Sequence, residues 1–194
     1  MDWTTPSLAT LLACIWERLE TGAAHREDPW HLAGLATVDA GQPAVRTVVL
    51  RAADAQRRAL VFYSDARANK ILQLHNHPKV EWLFYDPVER IQLRAHAQAT
   101  VHHQNAVAEE IWRARPDLNY LRYLSPLAPG TGLPAYLPPQ VEVLPEDELA
   151  FRNFAVVITT VERFDWLALF PDDSHKRAAF SWNGEDFDAR WVVP

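Results

Sequence analysis

The feature that most constrains the fold is the run over residues 89–101. Ile91, Leu93, Ala95, Ala97, Ala99 and Val101 fall on one face, and Arg90, Gln92, Arg94, His96, Gln98 and Thr100 on the other. Successive side chains of a strand point to opposite faces, so a period of two sustained this long specifies an extended strand with one buried side. Such a strand needs antiparallel neighbours that close over the same apolar stripe, as in the wall of a barrel.

Those neighbours can be read along the chain. Residues 31–38 and 44–51 read as a hairpin about a turn at 39–43. Residues 60–64, the aromatic run 80–85 and the run 154–161 read as further strands, with closing strands at 178–182 and 190–193. Leu8, Leu11, Leu12, Ile15 and Leu19 recur at helical spacing behind a cap at Thr5 and Pro6, which predicts a packing helix within residues 1–27, ending near Gly22. Short helices are expected from Asp65 to about Asn76, stopped by His77 and Pro78, and over 104–114. The expectation is one domain over 1–194, of mainly β (α+β) class: an antiparallel barrel of six to seven strands with short flanking helices. Residues 124–145 form a proline-rich loop too long for a plain connector, and are expected to be functional or packed on a partner.

Composition narrows the partners. The chain has 194 residues, 48% hydrophobic, enough to bury a core as one domain. A net charge of −6 with no basic stripe argues against nucleic acid as the main partner. Cys14 is the only cysteine, so no intrachain disulfide can form. The first residues lack the character of a signal peptide and no run reaches membrane-spanning length, so a cytoplasmic protein without membrane contact is expected. Eight histidines raise the question of metal, but His75/His77 and His102/His103 have poor ligand spacing and no cysteine pair completes a site; no metal is expected. A Gly-x-Ser-x-Gly elbow, a dinucleotide fingerprint and a P-loop are all absent.

What stands out is the stretch 46–92. A basic residue, Arg46, opens the run to Arg51, and a second strand leads into a helix whose first turns carry Arg67 and Lys70. Free N–H groups, the positive end of the helix dipole and nearby cations suit a phosphate. The same pattern also describes a solvated first helical turn with ordinary surface cations.

Arg46-Thr47-Val48-Val49-Leu50-Arg51, Phe62-Tyr63-Ser64, Lys70 six residues on, Asn76-His77-Pro78, Leu83-Phe84-Tyr85 and Gln92 resemble, in order and spacing, the pyridoxamine 5′-phosphate oxidase-like family of FMN-binding split barrels. Asp165-Trp166-Leu167, His175-x-Arg177 and the ending Trp191-Val-Val-Pro194 are similar to it as well. The resemblance implies a split barrel, FMN as cofactor and a homodimer with flavin at the subunit interface. It implies that Arg46 contacts the phosphate or ribityl side, that Val48 and Val49 line the ring, and that Tyr63 and Ser64 flank ring and phosphate. Lys70 would bind the phosphate, Gln92 would reach the flavin from the neighbouring subunit, and Arg177 would meet the pyrimidine end of the ring. Thr47, Arg51 and Asn69 complete the implied cofactor set, and Arg51, Arg115 and His175 are the implied substrate contacts. The chain departs from the oxidase at Arg51 (lysine there), Asn69 (arginine), Asp173 (arginine) and Asn119 (serine). FMN binding is therefore better supported than the named oxidase reaction. Two functions follow: an FMN-dependent oxidoreductase acting on a small molecule, or a non-catalytic flavin-binding module for sensing or storage.

Overall fold

The computed structural model describes Trp3 and residues 7–114, 123–136, 147–170 and 174–194. Its elements in order are α1 (Leu8–Ala24), a 3-10 turn (Pro29–His31), β1 (Leu32–Asp39), β2 (Gln42–Val49), β3 (Ala52–Asp54), β4 (Ala59–Asp65) and α2 (Asn69–Asn76). Then come β5 (Lys79–Asp86), β6 (Ile91–His103), α3 (Ala106–Ala114), α4 (Asp147–Asn153), β7 (Phe154–Ala168), β8 (Lys176–Trp182) and β9 (Phe187–Val192). The nine strands form one antiparallel sheet in the order β2-β1-β5-β6-β7-β4-β3, with the β8–β9 hairpin attached to β7.

The expected alternation organises this sheet. Ile91, Leu93, Ala95, Ala97 and Ala99 of β6 are all buried. The alanines are small because their cross-strand neighbours are large: Ala95 faces Trp82 on β5 and Phe164 on β7. Trp82 stacks on Phe84 at 5.7 Å between ring centroids and meets Phe62 edge-on at 5.6 Å. Its indole N–H donates to the buried Thr159 hydroxyl at 3.1 Å, so the polar tip of the ring is satisfied within the core.

The strand β7 splits the sheet. It pairs with β6 along its length, but on its other edge Phe154–Thr160 pair with β4 and Arg163–Ala168 with β8. The register of β6 against β7 shifts between His96 and Ala97, opposite that fork. A bulge adds a residue to one strand and sharpens its twist, which lets one strand serve two diverging partners. The sheet does not close. The chain itself crosses the gap between β2 and β3, where the Arg51 N–H donates to the Val61 carbonyl at 2.8 Å.

Helix α1 lays Leu11, Ile15, Trp16 and Leu19 on the core and ends where Gly22 meets Trp30. A Cβ at Gly22 would lie 2.9 Å from the Trp30 Cβ, so only glycine allows this approach. Arg18 then ties the helix to the barrel. Its guanidinium pairs with Asp28 and, at 2.8 Å, with Asp86 at the end of β5.

The antiparallel, helix-flanked architecture is the expected one, and several boundaries differ. Among the described residues there are nine strands where six to seven were expected. The three-residue β3 has no alternation to read, and residues 166–168 continue β7. The cap of α1 is Ser7, whose hydroxyl accepts from the Thr10 N–H at 3.1 Å, while Thr5 and Pro6 lie outside the described residues. His31 belongs to the 3-10 turn, where its Nδ1 lies 2.8 Å from the Gly22 carbonyl oxygen. Helix α3 starts at Ala106, with the Asn105 side chain accepting from the Ala108 N–H. Helix α2 starts at Asn69, so Arg67 precedes it.

Burial works against the Asp86 carboxylate, but the Glu89 and Val88 amides and Arg18 outweigh it and hold its pKa below the usual carboxylate range. This stabilisation is present at neutral pH and is lost as pH falls through that depressed value. Arg18→Met is expected to destabilise the fold by about 3 kcal/mol, because two nearly buried carboxylates lose their partner. Urea unfolding of both proteins from pH 7 downward checks this, and the gap should narrow with acid.

Candidate functional site

At the gap, the ends of β2 and β4 and the start of α2 surround a cavity of about 340 Å³. Strand β2 supplies Thr47, Val48 and Val49, the crossing segment supplies Arg51, and β4 supplies Tyr63, Ser64 and Asp65. Lys70 enters from the first turn of α2, Leu32 from the start of β1, and Tyr123 and Pro129 from the proline-rich segment. Several of these contribute because a strand end is being crossed, where strict alternation lapses.

One end of the cavity is polar and positive. The Lys70 ammonium lies 3.3 Å from the Ser64 hydroxyl, which donates onward to the Asp65 carbonyl. The Asp65 carboxylate, also in the lining, is held by Arg67 through Nε at 3.0 Å and a terminal nitrogen at 2.7 Å. That pairing cancels the one acidic charge among the described lining residues, leaving the cationic side chains Lys70 and Arg51. Ala68 caps α2 without a side-chain hydrogen bond, so the first-turn amides receive no side-chain acceptor from the N-cap. The other end is aromatic. The Arg51 guanidinium lies over the Tyr63 ring at 5.6 Å, and Tyr63 packs edge-on against Phe154 at 5.2 Å.

Arg46 sits behind this lining. One terminal nitrogen donates to the Leu35 carbonyl at 3.3 Å and to the Thr37 hydroxyl, and the other to the Gln73 side-chain oxygen at 2.7 Å. All three acceptors are neutral, so the charge of Arg46 is solvated but not cancelled by them. Burial first, and then the field of Arg46, push the Lys70 amine below the ordinary lysine range, with Asp65 opposing them.

The remaining implied residues lie elsewhere. Asn69 is the exposed first residue of α2. Gln92 and Arg177 are outside the cavity lining and share one cross-strand row, since Gln92 faces Leu167 and Leu167 faces Arg177. Arg177 forks onto Asp165 at 3.0 and 2.7 Å, and Asp165 also accepts from Arg94 at 2.6 Å. Burial opposes the Asp165 carboxylate, yet Arg177 and Arg94 together depress its pKa. His175 is exposed just before β8. Arg115, Asn119 and Asp173 lie outside the described residues. Leu32, Asp65, Ala68, Tyr123 and Pro129 line the cavity without having been expected there. For Pro129 the length of the proline-rich loop was the only sequence signal, and Tyr123, just before that loop, had none. Among the described residues, no cluster of three or more histidine, cysteine or acidic side chains could hold a metal.

Residues 14–103 match the family described as pyridoxamine 5′-phosphate oxidase, FMN-binding domain. Over this segment the chain resembles the FMN-binding, pyridoxamine 5′-phosphate oxidase-like family. The matched range contains β1 to β6 and most of the cavity lining. The fold is similar to that of a pyridoxamine 5′-phosphate oxidase-related, FMN-binding protein from Nostoc punctiforme, at 22% identity, a TM-score of 0.69 and coverage of 98% of this chain and 100% of that one. It is also similar to PhzG from Burkholderia lata, solved with tetrahydrophenazine-1-carboxylic acid, at 17% identity, a TM-score of 0.68 and coverage of 98% and 95%. The cofactor of such a domain is FMN, and the cavity fits it. A cationic, hydroxyl-lined end suits a phosphate, and Val48, Val49, Leu32 and Tyr63 suit the edge of a planar ring.

The three lysines of the chain, Lys70, Lys79 and Lys176, make the electrostatics testable directly. In the apoprotein, Lys70 is expected to titrate below the ordinary lysine range, and Arg46→Met is expected to move it back up. Lysine NMR after 13C-methylation reads both. Burial remains in the variant, so the recovery should be partial.

Proposed function

We propose that this chain is an FMN-dependent oxidoreductase that acts on a small-molecule substrate as a homodimer, with the flavin at the seam between protomers. The observation that carries the reading is the cavity's positive end: Lys70 beside Ser64 at the start of α2, with the nearby acid already neutralised by Arg67. In this reading Lys70, Ser64 and the first amides of α2 hold the phosphate of FMN. Val48, Val49 and Tyr63 form the apolar wall that orients the ring and excludes water. The bound flavin supplies hydride transfer, which no side chain here provides. Arg51, at the aromatic end, orients an anionic group of the substrate.

Three observations support a second protomer. The cavity volume of about 340 Å³ is near the lower limit for a cofactor-sized ligand, leaving part of FMN to be covered by other groups. Its rim includes Leu32, 55% exposed, and the face bearing Gln92 also exposes Leu83 and Tyr85. In an isologous pair, Gln92 and Arg177 of one chain reach the flavin held by the other. A non-catalytic flavin carrier is the second reading. It is favoured by the fork of Arg177 on Asp165, which occupies that guanidinium within its own chain.

Protein purified with its native ligand is expected to be yellow, to sediment as a dimer and to release FMN, identified by mass, on denaturation. Lys70→Met is expected to weaken FMN about thirtyfold, the value of roughly 2 kcal/mol for one charge-assisted contact. Colourless protein that gives no fluorescence change with FMN would exclude the proposal. Stopped-flow reduction by NADH, NADPH or pyridoxine phosphate separates the readings: rapid reduction marks the oxidoreductase, and bound flavin inert to all three marks the carrier.

A further inference from the structure

The described part of the proline-rich segment is fastened across the cavity by two neighbouring anchors. The Asn153 side-chain amide donates to the Tyr123 carbonyl at 2.7 Å, and the Asn153 carbonyl accepts from the Ala66 N–H at 2.7 Å. Arg67, the next residue, donates to the Ser125 carbonyl at 3.0 Å and to that of Pro126 at 3.5 Å. Its remaining donors are fixed on Asp65, whose carboxylate also accepts from the Arg67 N–H at 2.8 Å. One planar guanidinium thus binds β4 and the segment at once. Past this point the chain brings Pro129 to the cavity and places Gly130 beside Asn69.

Among the described residues, the other hydrogen bonds of this stretch are local, from the Ser125 hydroxyl to the Leu127 carbonyl and from Thr131 to that of Ala128. Ser125, Pro126, Leu127, Pro129 and Gly130 are exposed, so apolar burial contributes little. The backbone carbonyls of Ser125 and Pro126 are sequence-independent acceptors, and the fork of an arginine is suited to reach two at once.

We propose that Arg67 is a positioning residue that fixes residues 125–130 as a wall of the FMN cavity, so that cofactor release is set by this stitch as well as by the phosphate contacts. The inference rests on FMN occupying the cavity. With the stitch made, Pro129 lines the cavity beside Tyr123, which is itself buried against Trp112 and Phe154. With it broken, the segment opens and FMN leaves without prior loss of the Lys70 contact. Association is less affected, because an open wall does not hinder entry.

The test follows FMN fluorescence during association with the full-length apoprotein and, for dissociation, during dilution into excess apo-flavodoxin as a trap. Arg67→Met is expected to raise the off-rate about tenfold with the on-rate changed less than threefold, as expected for the loss of charged hydrogen bonds. Arg67→Lys should not rescue it, since an ammonium cannot span Asp65 and two carbonyls. Arg67→Met also leaves Asp65 without its partner near the phosphate. The double variant Asp65→Asn/Arg67→Met removes that repulsion and should still release FMN quickly. Pro129→Gly, at an exposed position that cannot threaten the core, should speed release without touching the ion pair. Limited proteolysis is expected to cut the Arg67→Met protein sooner within 125–130. Wild-type release rates in both Arg67→Met and Pro129→Gly, or restoration by Asp65→Asn, would overturn the proposal while FMN binding stands. A wild-type protein that binds no FMN removes the cofactor reading itself, and this inference with it.

Discussion

The structure depends on β7 serving two branches of one sheet. A fifteen-residue strand that kept one partner on each edge would make a flat continuation of the sheet. The bulge at His96 and Ala97 bends it instead, so that β4 departs on one side of the fork and β8 on the other. Both functional regions follow. The β4 branch carries Tyr63, Ser64 and Asp65 to the open gap, and the β8 branch carries Arg177 to the outer face beside Gln92. The small Ala95 of β6 contributes, because it leaves room for Trp82 and Phe164 on either side of it.

Charge is arranged differently in the two regions. On the outer face Asp165 lies between Arg94 and Arg177, and Glu81 lies 3.7 Å from Arg94, so two carboxylates face two guanidiniums and the Asp165 pKa is held down. At the gap the single acid is consumed by Arg67, while Lys70 is left under the field of Arg46. The first arrangement is complete within one chain. The second is not, and the difference separates structural ion pairing from a site built to receive an anion.

Much of this was legible in the residues. The period of two in β6 fixed the fold class, and Lys70 at six residues from Ser64 marked the polar end of the cavity. Other parts could not be read, for physical reasons. Strand periodicity says which residues share a face but not where the strand ends, so Arg46, Thr47, Val48 and Val49 could not be sorted until the crossing at Arg51 was seen. A positive residue near a helix start looks the same whether it faces a ligand or a carboxylate two residues away, and Arg67 does the latter. Tyr123 and Pro129 reach the cavity through backbone carbonyls held by Arg67 and Asn153. Carbonyls are identical at every residue, so no side-chain pattern could announce that contact.

The cost of the Lys70 environment bears on what the cavity is for. A lysine that is partly buried, close to a second cation and offered only a serine hydroxyl raises the free energy of the apoprotein. Apolar residues would fill the same space at less cost, and an alanine cap at α2 forgoes a further stabilising contact that Ser, Asp or Asn would supply. Local choices that conflict with stability at one place are what a site would show if its stabilising partner came from outside the chain. A phosphate dianion would relieve all three penalties together. It would favour the charged form of Lys70, accept from the first amides of α2, and turn the repulsion between Arg46 and Lys70 into a shared attraction.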